Sequence, residues 1–140
     1  MTDHHHTLLT VSQVMSRKIV YVDAMASVRD ALVQMRDRDV SSLVVPRRDD
    51  KDEPGIVDIA DIGREVIATN RSADRVDVYE IMTKPALNVP AEMNIRYAVR
   101  MLARFGQTRA VVVDHDRNLV GIVTLRDMVI AAADLGRGLT

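Results

Sequence analysis

The sequence predicts a mixed α/β (α+β) fold in which a β-α-β-β-α unit is written twice. Three observations predict it. The chain repeats itself at a fixed offset, and each copy alternates short apolar runs with one amphipathic helical period. Each copy also closes on nearly the same phrase, GIVDIAD at Gly55 to Asp61 and GIVTLRD at Gly121 to Asp127. A shift of 67 positions lays Val11 on Val78, Met15 on Met82, Val22 on Val89, Arg29 on Arg96, Ala31 on Ala98 and Val44-Val45 on Val111-Val112. After a one-residue slip, Gly55-Ile56-Val57 falls on Gly121-Ile122-Val123 and Asp61 on Asp127. Self-similarity over such a period marks a duplicated structural unit.

The elements follow in order. Ile19 to Val22 and Leu87 to Val89 read as short first strands. Ser27 is a helix cap for Val28, Ala31, Leu32 and Met35, which recur at i, i+3, i+4 and i+7. Asn94 does the same for Ile95, Ala98, Val99 and Leu102, and Gly106 suits the end of that helix. Leu43 to Val45 and Ala110 to Val113 are apolar second strands, followed by charged turns. Ile56-Val57 and Val120 to Val123 are the third strands. The last helices run from Ile59 to about Thr69 and from Leu125 to about Leu135. The first should turn Ile59, Ile62, Val66 and Ile67 to one side. The second is apolar nearly all round, which calls for cover all round; the simplest extra cover is a second copy of the protein, so a homodimer is expected. The domain boundaries read as a tail over 1–10, repeat one over 11–70, a polar link over 71–77, repeat two over 78–136 and a short tail over 137–140. Each repeat has about 60 residues, small for an independent core, so two halves sharing one core with pseudo-twofold symmetry are expected.

Composition narrows the function classes. The 140 residues are 47% hydrophobic and 28% charged with a net charge of −1, which gives the whole molecule no pull toward nucleic acid or an anionic membrane. Aromatic residues are only 3%, too few for a base-stacking platform. There is no cysteine, so thiol chemistry and thiolate metal sites are excluded. No secretory signal or membrane-length apolar run is seen, and the expected location is cytoplasmic. His4, His5 and His6 read as a polar tail or an added remnant in preference to a metal site, and His115 as a solvated turn residue. No catalytic triad, HExxH pattern, Walker loop or GxGxxG is present, so no enzyme is expected, and neither a metal nor a required cofactor.

The openings VSQVMS and VYEIMT with the GIVxxxD closings resemble a tandem pair of CBS domains, the Bateman module, over about Val11 to Leu135. The resemblance implies two three-stranded sheets packed together, two clefts related by the pseudo-twofold axis, and adenosine-containing ligands such as AMP, ATP or S-adenosylmethionine bound there. It implies a regulatory role toward an attached or partner protein, not catalysis, and disk-like dimers of modules.

The family's nucleotide signature falls on Gly121, Thr124 and Asp127. A strand ends there and a helix begins with unpaired amides and the positive end of its dipole, which favours an anion. The Thr124 hydroxyl can donate to a phosphate, and the Asp127 carboxylate can accept from ribose hydroxyls. A second reading stays open, because Thr-x-x-Asp and Asp58-x-x-Asp61 are both close to capping boxes. In the first copy Asp58 replaces the threonine. Two unit charges about 4 Å apart repel by roughly 1 kcal/mol in water and about 4 kcal/mol at an effective dielectric near 20, so the Asp58/Asp61 cleft is expected to be the degenerate one. Thr108 and Arg109 carry over as phosphate-side residues, with Arg126 a further cation. The resemblance places the base against Ser16 and Val20, with Val40 and Ser41. Two alternatives remain: a ligand-free dimeric scaffold, and an S-adenosylmethionine sensor. The regulated partner would be an unidentified protein acting in trans.

Overall fold

The computed structural model describes residues 9–133. Its elements are α1 (Val11–Val14), α2 (Val28–Arg38), β1 (Ser42–Val45), β2 (Gly55–Asp58), α3 (Ile59–Ile62) running into a π-helical turn (Gly63–Ile67), α4 (Val78–Ile81), β3 (Asn88–Pro90), α5 (Ile95–Phe105), β4 (Arg109–Val113), β5 (Leu119–Thr124) and α6 (Leu125–Ala132). The mixed α+β composition is as expected. The expected positions of His4 to His6, of Leu135 and of the 137–140 tail lie outside the described residues.

The long helices start where the sequence supplies a cap. The Ser27 side chain accepts from Asp30 N at 3.1 Å, and the Asn94 side chain accepts from Arg96 N at 2.8 Å. Both helices stop on a left-handed residue, Asp39 with φ 53° and Gly106 with φ 64°. Glycine adopts that conformation without the Cβ clash that other residues carry.

The described residues divide into two compact units, one made of residues 9–18 with 87–133 and the other of residues 19–86. This division is offset from the sequence repeat, because each opening segment packs into the unit built mainly from the other repeat. In the first unit Val11 N donates to Met93 O and Ser12 N to Ala91 O, both at 2.8 Å. In the second, Val78 N donates to Ala26 O at 2.8 Å and Tyr79 N to Ala24 O at 2.9 Å. Reading the repeats alone overlooked α1 and α4. The available signal was two capping boxes, Thr10-x-x-Gln13 and Asp77-x-x-Glu80, both formed in the structure.

The first unit holds a three-stranded sheet in the order β3-β4-β5, with β3 parallel to β4 and β4 antiparallel to β5. Its core is Val11, Val89, Ile95, Ala98, Leu102, Ala110, Val112, Val123 and Met128. Met128 of α6 is fully buried, and both α1 and α5 pack on that helix. Part of the cover that the apolar last helix demands is therefore supplied by α1. Val129 stays 48% exposed.

The second unit has β1 antiparallel to β2 as its named strands. Here the expected first strand over Ile19 to Val22 is corrected. The segment is reduced to one parallel bridge, Tyr21 with Val44, held by Val44 N to Val20 O and Val22 N to Val44 O, both 2.9 Å. It ends because Asp23 turns the chain, its carboxylate accepting from Met25 N at 2.8 Å. The matching position in the other repeat is Pro90, where β3 continues.

The single helix expected from Ile59 to Thr69 is also corrected. It is one α-turn followed by a π-turn, with Ala68 N donating to Gly63 O at 2.8 Å and Arg71 N to Val66 O at 2.9 Å. Glycine is a weak helix former, and Gly63 opens the wider turn. Ile62 and Val66 are in the core, but Ile59, at the start of the α-turn, is 44% exposed and Ile67, at the end of the π-turn, 62%, against the expectation that all four share one buried side. No helix among the described residues is long and apolar enough to cross a membrane.

Candidate functional site

The junction of β5 with α6 carries the most chemistry in the first unit. β5 ends at Thr124 in extended backbone, and its hydroxyl oxygen accepts from Asp127 N at 3.1 Å. A hydroxyl has two lone pairs and one proton, so capping the helix leaves the proton for an outside acceptor. Leu125 N donates to Thr108 O at 2.8 Å, and the β4–β5 register sets Arg109 opposite Thr124. Local pairing thus brings together Thr108, Arg109, Thr124 and Arg126. These four line an open concavity of about 460 Å³ at the start of the eight-residue α6. Its apolar wall is Leu125, Val129 and Ile130, residues that sequence reading left out of the site. Their signal was the apolar run of α6 directly after the signature. Among the described residues Asp127 does not line this concavity. Its carboxylate lies 3.5 Å from Arg126 Nη1 and is 48% exposed.

Ser16 is also in this unit. Although it belongs by sequence to the first repeat, it bridges to Ile122 of β5 and accepts through Oγ from Lys18 N at 3.2 Å. Val20, Val40 and Ser41 belong to the other unit. There Val20 is buried and bonds Val44, Val40 N donates to Met35 O at 3.0 Å, and Ser41 O accepts from Ile59 N at 2.9 Å.

The matching junction of β2 with α3 is chemically different. Asp58 Oδ1 accepts from Ala60 N at 3.0 Å, and Asp58 N donates back to Asp61 Oδ2 at 3.1 Å, closing a full capping box. Asp61 also accepts from Arg64 Nη2 at 2.7 Å and is only 16% exposed. An ionised carboxylate at Asp58 has no proton to offer a ligand. The capping reading therefore holds in full for the first copy. In the second the hydroxyl caps, while Asp127 does not return the bond. No group of three or more His, Asp or Glu residues placed to hold a metal occurs among the described residues.

A family model of the CBS domain matches residues 11–68 and again 78–134. The chain belongs to the CBS-domain family. As a tandem CBS-domain protein it has close structural company. A hexameric CBS-CP12 protein from bloom-forming cyanobacteria is 30% identical, with a TM-score of 0.86 over 91% of this chain and 70% of that one. A CBS domain protein from Pyrobaculum aerophilum, complexed with AMP, shares the fold at a TM-score of 0.75 over 89% of this chain and 98% of that one, at 22% identity. An uncharacterized protein of Methanopyrus kandleri is 28% identical over 121 residues, 86% of this chain. The chain spans 61% of that curated relative's length. CBS domains are generally regulatory modules, not enzymes.

Proposed function

We propose that this tandem CBS-domain protein is a non-catalytic regulatory sensor of an adenosine-containing nucleotide of the AMP, ADP or ATP class, acting in trans on a partner protein. The observation that carries the reading is the β5–α6 junction. A capping hydroxyl with a proton to spare, two guanidiniums and a helix N-terminus converge on one concavity, which is the chemistry a phosphate selects. Thr124, Arg109, Thr108 and Arg126 take the phosphate end, and Asp127 beside them takes ribose hydroxyls. The AMP complex of the Pyrobaculum aerophilum protein, a fold neighbour, supports the ligand class.

The Asp58/Asp61 junction is the weaker binder in this reading, because its carboxylates are committed to the cap and repel phosphate. Titration calorimetry with AMP, ADP, ATP and S-adenosylmethionine tests the proposal. Heat from a nucleotide that disappears in Arg109→Ala supports it. Silence from all four ligands with folded protein removes it, and a response to S-adenosylmethionine alone replaces the nucleotide with that ligand. Self-association belongs to the same reading and rests on the exposed apolar part of α6; a concentration-independent monomer mass would remove it.

A further inference from the structure

Arg29, Arg36, Arg48, Arg64, Arg71 and Arg126 each lie within ion-pair reach of a carboxylate. Helix α5 is different. Its Arg96, Arg100 and Arg104 follow at i, i+4 and i+8, one step of about 6 Å each along the axis. All three are exposed, the helix contains no acidic residue, and none of the three forms an ion pair among the described residues. Arg100 lies over the Tyr97 ring, 5.5 Å from its centre.

The cationic stripe borders a groove of about 430 Å³ between α5 and α6. Val99, Val129, Ala132 and Ala133 give the groove an apolar lining, and Arg96 and Arg100 line it too. Val129 also lines the concavity at the β5–α6 junction, so the two recesses adjoin.

We infer that this groove receives an acidic amphipathic helix of the regulated partner. Apolar side chains spaced along one face of that helix enter between α5 and α6, and flanking carboxylates meet Arg96, Arg100 and Arg104. The inference rests on the reading that the protein acts in trans, and it names the chemistry of the partner. Charge selects the occupant. A second copy of this chain is a poorer one, because no described helix carries more than one acidic residue beyond its basic ones. Setting α5 against α5 would bring arginines against arginines. An anionic bilayer is poorer as well, since the apolar surface is a recess between two helices that a flat membrane does not enter. The shared Val129 sets the partner helix beside the proposed nucleotide.

A synthetic peptide of about four helical turns tests it. It carries leucines on one face and glutamates on both flanks, with a dye for fluorescence anisotropy. A second peptide replaces every glutamate with lysine. Both are titrated with the wild-type chain, with Arg96→Glu/Arg100→Glu and with the milder Arg96→Gln/Arg100→Gln, each shown to be folded by circular dichroism. The acidic peptide is expected to bind wild type, to weaken as salt rises, and to lose at least about tenfold in affinity for either variant. The lysine peptide is expected to prefer the glutamate variant. Folded wild type that ignores the acidic peptide, or variants that bind it as well as wild type does, would overturn the inference. Binding to phosphatidylserine vesicles without binding to the peptide would replace the partner helix with a membrane. Nucleotide calorimetry on the same samples keeps the two readings apart, because heat from a nucleotide without peptide binding removes the docking groove alone.

Discussion

Ser16 and Ile122 exchange two backbone hydrogen bonds, Ser16 N to Ile122 O at 2.8 Å and Ile122 N to Ser16 O at 2.9 Å. Thr83 and Ile56 do the same in the other unit, at 2.8 and 2.9 Å. The approach leaves no room for a side chain beneath it, which explains the glycine in both GIV phrases. A Cβ at Gly121 would stand 2.6 Å from Met15 Sδ and 2.7 Å from Ser16 O, and one at Gly55 would stand 2.9 Å from Met82 Sδ.

Gly121→Ala is therefore expected to destabilise the protein by about 1–3 kcal/mol, since backbone as well as a flexible sulfur must move. Gly63→Ala is the control. It meets nothing within 4 Å on helical backbone, so it should be neutral or stabilise by roughly 0.5–1 kcal/mol. Urea denaturation of both variants checks the pair, and equal losses would contradict this account of the close approach.

The placement of α1 predicts where a distant mutation is felt. Val11 is fully buried in the core that contains Ala110, Val112 and Val123. Val11→Ala should cost roughly 1.5–3 kcal/mol. Hydrogen exchange should speed up in β4 and β5, ahead of β1 and β2. Loss of protection in β1 and β2 first would place α1 in the wrong unit.

Thr124→Asp separates capping from ligand binding. Aspartate caps as well as threonine, so stability should stay within about 0.5 kcal/mol. The added negative charge should weaken nucleotide binding by tenfold or more, from a repulsion of about 1–4 kcal/mol. Calorimetry beside thermal melting reads both quantities, and unchanged affinity would remove Thr124 from the phosphate end.

Asp52 predicts an acid-dependent term. Its carboxylate accepts from Lys84 Nζ at 2.9 Å and from Arg48 N and Nε at 2.9 and 3.1 Å, tying the turn after β1 to the segment after α4. The Lys84 bond above all, then the Arg48 backbone bond, hold its pKa well below the ordinary 3.8. A folded value below the unfolded one means that the stabilisation is present above about pH 4 and is lost as pH falls toward the folded value. Asp52→Asn should be less stable than wild type at pH 7, and the gap should narrow steadily in stronger acid. A gap that widens on acidification would refute the assignment.

How much of this was legible in the sequence depended on the range of the physics involved. Ser27, Asn94 and Gly106 announced the long helices because capping is decided within a few residues. The strands β4 and β5 were legible for the same reason, as short apolar runs bounded by a charged turn. Thr108, Arg109 and Thr124 stand together because one hairpin register holds them, and Arg126 follows in the first turn of the next helix. The partner of Met15 was not legible, since nothing near it in the chain names Gly121 as the surface it covers. The π-turn after Gly63 escaped as well, because a 3.6-residue period was assumed throughout and one added residue moved Ile67 out of the core. Asp23 cut the first strand short through a side-chain bond that apolar patterning does not see.

The crossing of the opening segments turns this tandem into something close to a swapped pair written on one polypeptide. A lone copy of either repeat would offer its first turn to a neighbour and lack the one it needs. Fusion in a single chain supplies that missing piece at the high effective concentration of a tether, so losing either half of the gene would leave the surviving half with an unfinished wall.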